Sequence, residues 1–207
     1  MKLKFFKVAL ATLMLAVCNF ANAGLITASN DLTANYSNYN HVTFNELNFA
    51  SNTLITNQFS SFGLEITSGL QYLVNSARTN FNGSGLYNYG TNPYITPFSF
   101  DFNSTVQAMG FYIVMNTGQN VTFEALLNGN DVESYNETWT NCCSTLLFRG
   151  FAGGTYDSIK VTMVNGSNGA MELDNVYFSK ATTVPEPTSL AIFALGIVAL
   201  TARRFRK

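Results

Sequence analysis

The chain has one histidine, three cysteines and few basic residues away from its ends. Each shortage excludes something. A Ser-His-Asp or Cys-His constellation would have to use His41, and no G-x-S-x-G nucleophile motif accompanies it. One histidine and one adjacent cysteine pair do not supply the spaced ligands of a tetrahedral zinc site. No Walker or dinucleotide-type glycine pattern occurs. Lys2, Lys4, Lys7 and Arg203, Arg204, Arg206, Lys207 hold most of the 11 basic residues at the two ends. Between Gly24 and Thr183 only Arg78, Arg149, Lys160 and Lys180 stand against 11 carboxylates, a net charge of −7. Nucleic-acid binding by this region is excluded, because it lacks the cationic footprint that neutralises phosphates.

What is present falls into three parts. Residues 1–23 read as a secretory signal peptide: a Lys-rich start, an apolar run from Val8 to Val17, and a small-x-small Ala21-Asn22-Ala23 before Gly24, where signal peptidase would cut. The apolar run is too short for a permanent span. Cys18 follows Val17, where a lipobox requires a small residue, so a lipoprotein reading is minor. At the other end, residues 181–187 form an extended linker, since Pro185 and Pro187 fix φ and push their predecessors out of helical space. Residues 188–202 then read as one apolar transmembrane helix, and 203–207 as a basic tail held in the cytoplasm by the positive-inside rule. Fifteen residues span about 22 Å against a hydrocarbon core of about 30 Å, with snorkelling arginines making up part of the difference.

Val184-Pro185-Glu186-Pro187, a single apolar helix and a terminal Arg/Lys cluster, in that order, resemble the PEP-CTERM sorting signal of Gram-negative bacteria. The resemblance covers about the last 24 residues. It implies that exosortase, a membrane protease, recognises the Pro-Glu-Pro and removes the helix, so that the inner membrane is a transient anchor. It also implies an association with exopolysaccharide and biofilm at the cell surface or outside the cell. A simple tail anchor with a proline linker is the competing account.

Residues 24–180 are expected to form an all-β domain. Period-2 patterns dominate, and no segment sustains a 3.6-residue apolar stripe. Strands are expected at His41–Phe44, Gly63–Thr67, Leu70–Val74 and Phe98–Phe102. Further ones are expected through Val106 to Met115, Val121 to Leu127, Ile159 to Met163 and Met171 to Phe178. Gly110 suggests a bulge, and Asn128-Gly129-Asn130-Asp131 a turn. About eight short strands with turns between them predict an antiparallel β-sandwich, jelly-roll-like.

Thr43-Phe44-Asn45-Glu46-Leu47, Thr56-Asn57-Gln58-Phe59, Phe62-Gly63-Leu64-Glu65-Ile66 and Leu173-Asp174-Asn175-Val176-Tyr177-Phe178 together resemble galactose-binding-like and carbohydrate-binding-module sandwiches. That resemblance implies a structural calcium held by acidic residues of the first and last strands, at Glu46 and Asp174, with carbonyl oxygens completing its sphere. The alternative is that Glu46 caps a turn and Asp174 is a solvated strand-end carboxylate.

Tyr87, Tyr89 and Tyr94 lie in a Gly/Asn-rich stretch, and Trp139 lies near Asn136, Glu137 and Asn141. Aromatic faces beside amides can stack on sugars, so these four are candidate ligand-binding residues; packing beneath loops is the alternative. Cys142 and Cys143 are adjacent, and in an oxidising compartment they form either a vicinal disulfide or a free or intermolecularly bonded pair. The reading is an exported, non-enzymatic protein with a structural or binding role in exopolysaccharide; the alternative is a secreted polysaccharide-active hydrolase, for which two carboxylates would suffice. The double substitution Pro185→Ala, Glu186→Ala is expected to leave unprocessed precursor in the membrane fraction on immunoblotting; unchanged processing would refute the sorting reading.

Overall fold

Phe98, Phe100 and Phe102 alternate with Ser99 and Asp101, and Phe111, Ile113 and Met115 alternate further on; apolar residues two apart line one face of a strand. In a computed structural model of the chain both runs belong to one long strand. The described residues are 24–67, 70–75, 78–88, 97–140, 144–163 and 170–180. They form eleven strands: β1 (Gly24–Ile26), β2 (Tyr39–Val42), β3 (Leu54–Ile55), β4 (Leu64–Thr67), β5 (Leu70–Val74), β6 (Ser84–Tyr87), β7 (Phe98–Met115), β8 (Asn120–Leu127), β9 (Asn130–Thr138), β10 (Leu147–Met163) and β11 (Met171–Lys180). A short helix, α1 (Ser29–Asn35), and a 3₁₀ turn (Ser60–Phe62) complete them. The expected sandwich is the observed class, and all the strand pairings are antiparallel.

The two long strands β7 and β10 run through both layers. Their one half, Phe98 to Asp101 against Ser158 to Val161, continues to β4 on one side and to β8 and β9 on the other. Their other half, Ala108 to Ile113 against Leu147 to Ala152, continues to β11, β6, β5 and β3, with β1 added to β10 and β2 to β11. Register shifts around Tyr156 separate the halves, as strands that switch layers require. The aromatic side chains of Phe98, Phe100, Phe111, Phe123 and Phe151 meet in one buried cluster between the layers. Phe100 and Phe111 pack edge to face at 5.1 Å, an arrangement favoured by the ring quadrupoles.

Several expectations are corrected. Gly110 carries no bulge: it faces Gly150 directly, and a Cβ there would meet the Phe148 ring at 2.5 Å. The bulge lies on the partner strand β11, between Asp174 and Tyr177, where Asn175 adopts a left-handed φ of 57°. The strand expected at His41–Phe44 ends at Val42, because Phe44 turns to φ 59° and the Glu46 carboxylate captures the Thr43 amide. β9 is exposed along most of its length, so it has almost no apolar signature; the hairpin that pairs it with β8 turns at Asn128 and Gly129, both at positive φ. α1 buries only Leu32, and seven residues leave no room for an apolar stripe. The expected signal peptide, linker, transmembrane helix and tail lie outside the described residues. Among the described residues no helix is long and apolar enough to cross a membrane.

Candidate functional site

The bulge at Asn175 organises two neighbouring places. By inserting one residue it carries Val176 and Phe178 into the core and turns Tyr177 outward, while Asp174 is fully buried. Two loops close over Asp174. Its Oδ2 accepts from the Asn82 amide at 2.8 Å and from Asn175 Nδ2 at 2.9 Å, and its Oδ1 accepts from the Asn175 amide at 2.7 Å. Asn45 Nδ2 donates to the Asn82 carbonyl at 2.6 Å, joining the Thr43 to Glu46 loop to the one before β6. Gly83, at φ 81°, leaves room there for the Asn45 side chain.

Glu46 belongs to the same place. Its Oε1 accepts from Thr43 N at 2.7 Å and from Thr43 Oγ1 at 2.9 Å, whereas its Oε2 is buried with no hydrogen-bond partner. Asp174 senses it: burial drives the Asp174 pKa from the ordinary 3.8 up to about 7, the two amides pull it back, and the Glu46 charge raises it again. Two carboxylates withdrawn from water, one with an orphaned oxygen, are costly without a cation between them. The donors are all oxygens, which suits calcium and not a nitrogen- or sulfur-seeking metal. Among the described residues no three His, Cys, Asp or Glu side chains gather, so a cation held here would need carbonyl or amide oxygens besides the two carboxylates.

The second place is an open groove of about 660 Å³. β2, the 3₁₀ turn, the Asn103-Ser104 bend of β7 and the end of β11 form its walls. Tyr39 and Phe62, 40% and 36% exposed, supply two aromatic rings to it. Asn103 fixes the turn by donating from Nδ2 to the Ser60 carbonyl at 2.8 Å and from its amide to Gly63 at 3.2 Å. Gly63 closes the turn at φ 90°, and a Cβ there would lie 3.4 Å from the Phe178 ring and 3.6 Å from Asn40 Nδ2. Both are ordinary contacts, so it is the left-handed φ that calls for glycine here. His41 stacks on Tyr177, centroids 4.1 Å apart and nearly parallel, and its Nε2 is 2.8 Å from Asn175 Oδ1. Among the described lining residues there is no Asp or Glu.

Of the residues singled out from sequence, the fold brings Glu46 and Asp174 together. Tyr87 is 5% exposed, with its hydroxyl on Asn52 Oδ1. Trp139 is 1% exposed beneath the Arg149 guanidinium, 5.2 Å from its ring centroid. Both rings face protein, so packing is the role the structure gives them. Tyr89, Tyr94, Cys142, Cys143, Ala21, Ala23 and Val184 to Pro187 lie outside the described residues; Gly24 is the first residue of β1. Sequence reasoning missed Tyr39 and Phe62. Their setting among Asn40, Asn103, Ser60 and Ser61 has the same aromatic-plus-amide composition as the Tyr87 stretch, but the residues come from three separate segments.

Residues 183–207 match the PEP-CTERM protein-sorting motif. No curated protein matches the chain. Among solved structures, the chain is similar to TmCBM61 in complex with β-1,4-galactotriose (10% identity, 74% of this chain and 98% of that one, TM-score 0.37). It is also similar to CsCBM6-3 from Clostridium stercorarium in complex with cellobiose (12% identity, 76% and 94%, TM-score 0.31). A third similarity is to the enzymatically active domain of bacteriophage CBA120 tailspike protein 4 (15% identity, 55% of this chain, TM-score 0.35), of which the match spans 18%.

The buried Asp174 makes stability pH-dependent in the cation-free protein. Its folded carboxyl holds a proton more tightly than the unfolded one, so its contribution is complete below about pH 4 and is lost as pH rises toward 7. At about 1.4 kcal/mol per pKa unit, the loss is at most about 4 kcal/mol. Urea unfolding in chelator between those limits is expected to show this decline, and Asp174→Asn to flatten it at a lower overall stability. A wild-type profile no steeper than that of the variant would contradict the assignment.

Proposed function

We propose that this is an exported, non-enzymatic protein whose sandwich binds polysaccharide in the groove rimmed by Tyr39 and Phe62. In this reading signal peptidase cuts between Ala23 and Gly24. Exosortase then acts at Val184 to Pro187, releasing the domain from an inner-membrane tether to the surface or matrix of a Gram-negative bacterium. There it takes part in exopolysaccharide or biofilm structure. The PEP-CTERM motif supports the route. The observation that carries the binding reading is the groove itself: two exposed rings set among Asn and Ser side chains, in a volume typical of small-ligand sites.

The chemistry follows from those groups. A pyranose ring has an apolar C–H face and an equatorial belt of hydroxyls. Stacking on Tyr39 or Phe62 removes the face from water, while Asn40, Ser60 and Ser61 exchange hydrogen bonds with the belt. A hydrolase would need a carboxylic acid and a carboxylate flanking the scissile bond. The described groove walls offer neither, and His41 is engaged with Asn175 and Tyr177, which argues against the hydrolase alternative at this place.

Calcium at Glu46 and Asp174 is part of the same proposal, with a structural role. When bound it would supply positive charge between the two carboxylates and tie the loop after β2 to β11. Calcium is therefore expected to raise the unfolding temperature at pH 7 by several degrees, with the rise lost in Glu46→Gln and Asp174→Asn. A rise unchanged in both variants would place the ion elsewhere. For the groove, Tyr39→Ala and Phe62→Ala are each expected to weaken affinity for the host's own exopolysaccharide about tenfold, given about 0.5–1.5 kcal/mol per aromatic contact beyond the area buried. Tyr87→Phe, at a buried ring, should leave it unchanged. Unaltered binding in both groove variants, or release of reducing sugar on incubation, would overturn the reading.

A further inference from the structure

The groove runs against the electrostatic character of its own domain. Of the four basic residues between Gly24 and Lys180, three are consumed inside the fold. Arg78 pairs with Glu172 at 2.6 Å, Arg149 with Glu137 at 2.5 Å and Lys160 with Glu124 at 2.8 Å. Lys180, exposed at the end of β11, has no carboxylate partner among the described residues, and it lines the groove. The chain's one histidine, His41, lines it as well. The eleven carboxylates of the domain are absent from the described walls.

Such a distribution has a consequence for ligand choice. Over most of the surface of a −7 domain an anion is repelled, and here the local sign reverses. A neutral glycan would need only the rings and the amides. An ammonium with no carboxylate partner among the described residues, beside an aromatic rim whose described walls hold no carboxylate, suits a ligand that brings negative charge of its own. A sugar carboxylate offers that charge at the edge of the ring, leaving the apolar face free to stack. Lys180 Nζ can give it charge-assisted hydrogen bonds, which are roughly twice as strong as neutral ones.

We infer that the groove takes an acidic polysaccharide, a chain of uronic-acid-type sugars, with ring faces on Tyr39 and Phe62 and a carboxylate at Lys180. This rests on the polysaccharide-binding reading and adds the charge class to it. Specificity is then partly repulsive, because an acidic chain has one entry on this domain and is turned away elsewhere.

The test uses protein purified from cells producing the full chain, titrated calorimetrically with polygalacturonate and alginate and with carboxyl-reduced forms of each. The acidic polymers are expected to bind about tenfold more tightly than their reduced counterparts. Lys180→Ala should abolish that difference, Lys180→Arg should keep it, and Tyr39→Ala should weaken acidic and reduced forms alike. Raising ionic strength from about 0.01 M to about 0.15 M, which shortens the screening length from about 30 Å to about 8 Å, should weaken the acidic polymers only. Equal affinity for acidic and reduced forms, still lost in Tyr39→Ala, would overturn the charge class and leave the groove as a neutral-sugar site. No binding to either acidic polymer would also overturn the charge class. Binding indifferent to both Tyr39→Ala and Lys180→Ala would overturn the groove reading itself.

Discussion

One extra residue in β11 sets the arrangement that the rest of the molecule depends on. β11 is buried along nearly its whole length, between β7 on one side and β2 and β6 on the other. Without the insertion at Asn175, strict alternation would carry Asn175 and Tyr177 inward with Leu173. With it, Leu173, Val176 and Phe178 all enter the core, and Asp174 and Tyr177 are left for other work. Asparagine is suited to the left-handed φ, and its side chain serves both neighbours: Nδ2 donates to Asp174 and Oδ1 meets His41. The carboxylate pair and the wall of the groove are thus consequences of one backbone irregularity.

The domain manages its acidity by placement. Three of its four cations neutralise carboxylates within or between strands, and these pairs hold β10 to β8, Arg149 to Glu137 of the edge strand β9, and Arg78 to β11. Among the described residues Asp174 and Glu46 have no such partner, and burial accordingly raises the Asp174 pKa. Among the described residues, Lys180 is the cation with no carboxylate partner. Its position places the sign reversal at the end of β11, a few residues before the sorting segment that begins at 183.

Much of the architecture was legible because burial on one face of a strand writes itself as alternation. β4, β5, β8 and both halves of β7 were visible for that reason, as was the turn at Asn128-Gly129. β9 was invisible because an edge strand with an exposed face needs few apolar residues, and β6 because its four residues are buried on both faces and include Gly85. The first half of β10 was hidden by Gly150, Gly153 and Gly154. Gly150 and Gly154 permit close approaches, of the Met109 carbonyl to one and of the Tyr156 ring to the other, while Gly153 takes a positive φ. Exposure of the candidate ligand aromatics was not readable, since Tyr87 is buried with its hydroxyl on Asn52 and Trp139 is buried beneath Arg149, contacts that only the fold sets.

The sequence by itself determined the sorting segment, the antiparallel β class and the acidity of residues 24–180. Each of these depends on local order or on composition, and neither changes on folding. The tertiary structure decided which carboxylates meet, which rings see solvent and which cation stays unpaired. Those are properties of distance between residues far apart in the chain: Glu46 reaches Asp174 through a bulge, and Tyr39 reaches Phe62, Asn103 and Lys180 through the packing of four segments around a glycine turn. Pairing across the sheet fixes those distances, and no pattern along the chain encodes them.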